Sequence, residues 1–202
     1  MRKLLLLLSI GMLYTAQAQM GDINTASKHV INQGYEIQSK GEGWKIYRQE
    51  EQYRGWDRKQ SYWFNEDGSV WLSKYEVIPT YITKMNGQWA NTTFKNFTAS
   101  IQKEYKKDIK KRLVTWKERF EVEVGDEFII RETVYTKKDS PNRRIVVRVV
   151  RSKDKDKITT GDGNVHYRYR FSIEQFTETR EDGNRWALDI VEENNKNGDN
   201  PF

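Results

Sequence analysis

The chain has 202 residues, with 35 Lys and Arg against 29 Asp and Glu, 36% hydrophobic and 13% aromatic residues, and no cysteine. That is enough chain for one domain with a sizeable core. The missing cysteine excludes thiol nucleophiles, thiolate zinc sites and iron–sulfur clusters, and two histidines, His29 and His166, are too few for a three-histidine zinc centre.

Residues 1–18 read as a secretory signal: Arg2 and Lys3 give a positive start, Leu4 to Leu13 an apolar run, and Ala16-Gln17-Ala18 a small-x-small cleavage site. The run is too short to span a bilayer well, since a transmembrane helix needs roughly 20 apolar residues. Removing it takes away two positive charges and no negative ones, so the net charge of +6 falls to +4. A balance that mild does not call for nucleic acid as partner. A chain exported without cysteine must rely on its core rather than on disulfides, which fits a bacterial envelope or extracellular protein, periplasmic or released. Without cysteine there is also no lipoprotein anchor.

The remainder is expected to form a single domain over residues 19–192, followed by a polar, disordered tail at 193–202. A short amphipathic helix from Ile23 to Asn32 ends at Gly34, a residue suited to a positive φ. Tyr35–Ser39 and Trp44–Glu50 then read as a hairpin around Gly41-Glu42-Gly43. Ser61–Phe64 and Val70–Val77 read as a second around Asn65-Glu66-Asp67-Gly68, limited by Pro79.

From Thr92 to Arg112 the period changes. Phe94, Phe97, Ile101, Tyr105, Ile109 and Leu113 recur every three or four residues, which predicts one long helix with a Lys-rich outer face from Lys95 to Arg112. Val114 to Val124 then alternates as a half-buried strand that takes Trp116 into the core. Phe128–Thr136, Ile145–Val150, Val165–Thr177 and Trp186–Val191 are four further strands, separated by charged, Gly- and Asn-bearing turns. The order predicts an α+β fold: an antiparallel meander of about eight or nine strands, one long covering helix at about 92–112 and a short N-terminal helix.

No nucleophile elbow, phosphate-binding loop, His-Glu-x-x-His pair or dinucleotide glycine fingerprint is present, so no catalytic residue, cofactor or metal ligand is assigned. Asp154, Asp156, Asp162 and Asn164 share a loop, but Lys153, Lys155 and Lys157 interleave with them and oppose a cation such as calcium. Paired carboxylates for glycoside hydrolysis stay open, because any two acids about 5 to 10 Å apart would serve.

Seven tryptophans are the feature above background. They have two uses: to fill the space between helix and sheet, or to form a recognition surface. The second use rests on Tyr53 to Trp63, read as a loop in which rings alternate with basic and amide groups. Tyr53, Arg54, Trp56, Arg58 and Trp63 are the candidate ligand-binding residues, with Trp89 beside Gly87 as a further one. A second candidate surface joins Arg168 and Arg170 to Arg148 and Arg151 as a basic stripe, unless nearby glutamates neutralise them. The function expected is a non-catalytic binding protein of the bacterial envelope that recognises a glycan or a protein partner. The alternatives are a polysaccharide hydrolase working through two carboxylates and weak membrane-surface docking by the Lys-rich helix face.

Overall fold

The computed structural model describes residues 25, 27–41, 44–53, 55–114, 122–124, 127–152 and 157–177. The expected signal segment, residues 115–121 of the strand expected through Trp116, the strand Trp186–Val191, the polar tail and Arg54 lie outside these residues.

The first half is a meander. Helix α1 (Ser27–Asn32) stops at Gly34, which has φ +82°, and is followed by β1 (Glu36–Gly41), β2 (Trp44–Tyr53), β3 (Trp56–Asn65) and β4 (Val70–Pro79). Tyr53 pairs with Trp56, so β2 and β3 are joined by a two-residue turn whose Gly55 also has φ +82°. Such a turn needs positive φ, and only glycine takes it without steric cost. The Asp67-Gly68 signal is used as expected: Gly68 has φ +82°, and Asp67 accepts hydrogen bonds from the Ser69 amide (2.8 Å) and hydroxyl (2.6 Å).

The long helix α2 runs from Asn86 to Glu104, so it begins and ends earlier than Thr92–Arg112. Its start is held by side chains of the preceding loop: the Thr83 hydroxyl donates to Asn86 Oδ1 (2.6 Å), and Asn86 Nδ2 donates to the Tyr81 carbonyl (3.0 Å). Beyond Tyr105 a turn leads into β5 (Ile109–Val114). The periodicity misled because a spacing of four is also an even number. Ile109 and Leu113 therefore share a face in a strand as they would in a helix. The Lys-rich helix face is corrected accordingly: Lys106 and Lys107 lie in the turn, and Lys110, Lys111 and Arg112 lie in β5.

The second half continues with β6 (Val122–Val124), β7 (Glu127–Lys137), β8 (Ser140–Ser152), β9 (Lys157–Thr159), β10 (Val165–Tyr167) and β11 (Tyr169–Phe176). The stretch expected as one strand from Val165 to Thr177 is thus broken at Arg168, and β9 and β10 form a small sheet of their own. The main sheet is antiparallel and nine-stranded, in the order β1-β2-β3-β4-β11-β8-β7-β5, with β6 also on β7. Its centre joins the two halves: β4 pairs with β11 through Phe171–Val77 to Phe176–Leu72. A mostly antiparallel sheet with one 19-residue helix is an α+β fold. No helix among the described residues is long and apolar enough to cross a membrane.

Alternation sorts each central strand into two faces. Val77, Val147, Val149, Phe171 and Ile173 point to α2 and meet its buried Ala90, Phe94, Phe97 and Ile101. Phe97 and Phe171 meet edge to face at 5.7 Å, and the Tyr135 hydroxyl donates to the Thr98 carbonyl at 3.2 Å. Each such buried side chain stabilises the fold by about 1.5–3 kcal/mol. The intervening residues of the same strands point to the far face, away from α2. There Leu72, Val134, Val146 and Phe176 form a separate apolar cluster with Trp63 and Trp71.

Candidate functional site

The segment Tyr53 to Trp63 is strand, turn and strand rather than a loop, because the Gly55 turn is tight enough to let pairing run up to it. Period-two alternation then separates the candidate residues. Trp56 and Arg58 sit opposite Pro79 and Val77, on the α2 side of the sheet. The Trp56 ring lies 4.1 Å from that of Trp89, tilted by 33°, and both pack against the core beneath α2. Arg58 is half-buried on the same side. Tyr53 ends β2, and its side chain is not among those described. Trp63, opposite Leu72, faces the other way. The structure therefore brings Trp56 and Trp89 together as packing aromatics and leaves Trp63 with different company.

That company is a cavity of about 280 Å³ on the far face, lined from five neighbouring strands, β3, β4, β11, β8 and β7. One end is apolar: Trp63 and Trp71 stand edge to face at 6.4 Å beside Leu72 and Phe176. The other end is charged, with Lys74, Arg148 and Arg170 against Glu127 and Glu174. Ser172 lies within the charged end, between Arg170 and Glu174 on β11, and Ile129 and Val150 line the wall beside Arg170.

Beneath and along the charged end runs a chain of alternating sign. Glu132, 0% exposed, accepts from Arg148 Nε at 2.6 Å, and Arg148 Nη1 reaches Glu174 at 3.1 Å. Lys74 stands 3.7 Å from Glu174 and 3.1 Å from Glu76. Arg170 closes the series, 2.7 Å from Glu76 and paired at its other nitrogen with Glu127 at the rim. The contacts to Glu76 Oε1 lie off the hydrogen-bond axis but are close enough to act as charge pairs. Register explains the chain. Glu132 lies directly opposite Arg148 and Glu174 directly opposite Lys74, the links Arg148–Glu174 and Arg170–Glu76 are diagonal, Lys74 and Glu76 stand two apart on β4, and Arg170 reaches Glu127 across β8.

Burial alone would push the Glu174 carboxyl up, but Arg148, Lys74 and Arg170 outweigh it and hold the group below its ordinary value of 4.5. Burial likewise opposes the charge on Arg148, and Glu174 and Glu132 overcome it and raise its pKa. Ser172 Oγ and Arg170 Nε are shut off from bulk water and have no hydrogen-bond partner among the described residues.

The stripe of four arginines does not form. Arg148 and Arg170 belong to the glutamate network, Arg151 lies between the rings of Phe128 (4.8 Å) and Tyr167 (4.0 Å), and Arg168 donates to the Pro79 carbonyl at 2.9 Å. No group of three His, Cys, Asp or Glu side chains among the described residues is arranged to hold a metal. His29 bonds Gln33 along α1, and His166 bonds Thr160 across the β9–β10 hairpin. Asp162 is committed within its own turn, where the Thr160 hydroxyl and the Asn164 amides bring its pKa down to about 2.

Sequence reasoning allowed for nearby glutamates to neutralise Arg148 and Arg170 but did not identify those glutamates or their linkage into one chain. The available signal was Arg170, Ser172 and Glu174 at every second position of a strand whose other positions are apolar. That pattern reads as an ordinary wet face until β4 and β8 are known to flank it. Comparisons with protein-family models, with curated proteins and with solved structures each find no match for this chain.

Proposed function

We propose that the protein is a non-catalytic binding protein that takes one small glycan unit into the far-face cavity, working outside the cytoplasm of a bacterium in the periplasm or medium. The observation that carries the reading is the cavity's two-ended chemistry: rings at one end for the apolar face of a sugar, and a fixed array of polar groups at the other. Its volume of about 280 Å³ lies just below the roughly 300–1,000 Å³ of small-molecule sites, which favours a single sugar unit over a chain or a protein loop. Of the Tyr53–Trp63 segment, Trp63 is the residue this cavity uses, while the rings of Trp56 and Trp89 lie against each other on the other side of the sheet.

The hydrolase alternative has less support. It needs one carboxyl kept protonated near neutral pH as general acid, whereas the cations around Glu174 hold it ionised.

Tryptophan fluorescence titrated with a panel of monosaccharides and disaccharides tests the reading. Saturable quenching that is lost in Trp63→Ala and Trp71→Ala but kept in Trp56→Ala is the expected result. Absence of saturation with every sugar, or equal loss in Trp56→Ala, would sink it.

A further inference from the structure

We propose that a second surface, separate from the cavity, docks the protein on an anionic lipid bilayer: the basic end of the molecule, formed by the α2–β5 turn and the β7–β8 turn with the strands they join. Residues 103–112 and 137–144 hold ten Lys and Arg against three Asp and Glu. That excess of seven is larger than the +6 of the whole chain, so the rest of the chain carries one more acid than base. Tertiary structure sets the two segments side by side. Ile109 pairs with Lys137, Thr136 pairs with Arg144, the Lys138 amide donates to the Asp108 carbonyl at 2.9 Å, and Lys138 Nζ donates to the Lys107 carbonyl, 31 positions away in the chain. The lysines expected along one helix face are thus gathered with those of a distant turn.

Lys103, Lys106, Lys107, Lys138 and Arg143 are exposed, and none of them forms an ion pair among the described residues. The helix dipole accounts for Lys103 in the last turn of α2, but not for the cations of the strands and of the second turn. Like charges gathered this closely repel one another, and an anionic surface replaces that repulsion with attraction. Seven of the ten cations are lysines, compact hydrated charges on flexible stems that follow mobile headgroups without the fixed fork geometry of arginine. The exposed large apolar residues Ile31, Ile37, Tyr81, Met85, Ile158 and Val165 all lie elsewhere, so among the described residues this end offers no exposed ring for stacking a nucleic-acid base. Two adjacent chain reversals make a blunt tip, which meets a plane more readily than it encloses a chain. None of these residues lines the cavity.

Co-sedimentation with phosphatidylcholine vesicles, with and without phosphatidylglycerol, tests the surface. The purified chain should bind the phosphatidylglycerol vesicles about ten-fold or more tighter than the neutral ones, and added salt should abolish the difference. Two triple variants that lose the same charge then locate the contact. Lys103→Gln, Lys106→Gln and Lys107→Gln together should weaken binding to the anionic vesicles about ten-fold or more, with the melting temperature unchanged. Lys28→Gln, Lys45→Gln and Lys84→Gln, also exposed but outside this end, should weaken it by about two-fold or less.

Equal binding to both kinds of vesicle overturns the proposal, since apolar insertion by any part of the chain gives that result. Equal loss in the two triple variants overturns the assigned surface and leaves overall charge as the cause. Tighter binding to dextran sulfate or duplex DNA than to the phosphatidylglycerol vesicles at the same salt overturns the bilayer as partner in favour of a polyanionic chain.

Discussion

Glu132 carries its charge with no exposure to solvent, and it can do so because Arg148 lies opposite it in register and bonds it at 2.6 Å. Replacing both members of a buried pair by well-packed apolar residues often costs little, but removing one strands the other, and buried pairs broken that way typically lose about 3–5 kcal/mol. Glu132→Ala should therefore destabilise the protein by about 3 kcal/mol, while Glu132→Gln, which retains an acceptor, should cost less. Urea unfolding of the two variants measures the difference, and equal, small effects would show that Glu174 alone satisfies Arg148. At the other extreme of exposure, Asp162 is held by the hydroxyl and amides of its own turn, so its carboxyl resonance should titrate with a midpoint of about 2 in an NMR pH series.

At the scale of elements, α2 depends on four small or apolar contacts with the sheet. Ile101, 0% exposed, is the innermost of its last turns. Ile101→Ala should cost about 2–5 kcal/mol by loss of contact plus the cavity left behind, as read by denaturant midpoint. The β2–β3 turn offers a contrasting case. A Cβ on Gly55 would meet nothing within 4 Å, so only the backbone angle of +82° resists substitution. Gly55→Ala should cost about 1–2 kcal/mol from that strain alone, with the Trp56–Trp89 contact and its near-ultraviolet circular dichroism preserved. A larger loss would mean that the turn also sets the packing of those rings.

For the whole molecule the decisive pairing is β4 with β11, where Leu72 sits opposite Phe176, 104 positions along the chain. Non-local pairing of this kind slows folding to the millisecond-to-second range, because loop closure must precede the contacts that compensate it. Stopped-flow tryptophan fluorescence should show refolding on that scale, and microsecond refolding would contradict it. The same pairing sets the acid stability. Because Glu174 titrates below its ordinary value of 4.5 when folded, its ion pairs contribute stability that is fully present above that value. That contribution is lost as pH falls from there through the lower folded value. Urea midpoints should fall steeply below pH 4.5 and less steeply in Glu174→Gln.

What the amino-acid order determined by itself is local. The β-branched run Ile145–Val150, the turns at Gly34 and Asp67-Gly68, and the apolar row Phe94, Phe97, Ile101 all depend on residues a few positions apart, and all appear in the structure. The end of the helix was not legible, because Ile109 and Leu113 satisfy helix and strand spacing alike, nor was the tightness of the Gly55 turn that makes strand out of Tyr53–Trp63. The cavity belongs to tertiary structure alone. Its walls come from five strands in an order that chain sequence does not follow, and its charge chain exists only because β11 lies between β4 and β8. Alternation can say that Lys74, Arg148, Arg170 and Glu174 leave the α2 core, but only the pairing of distant strands brings their charges within reach of one another, since Coulomb attraction and hydrogen bonding act over ångströms of space and not along the chain.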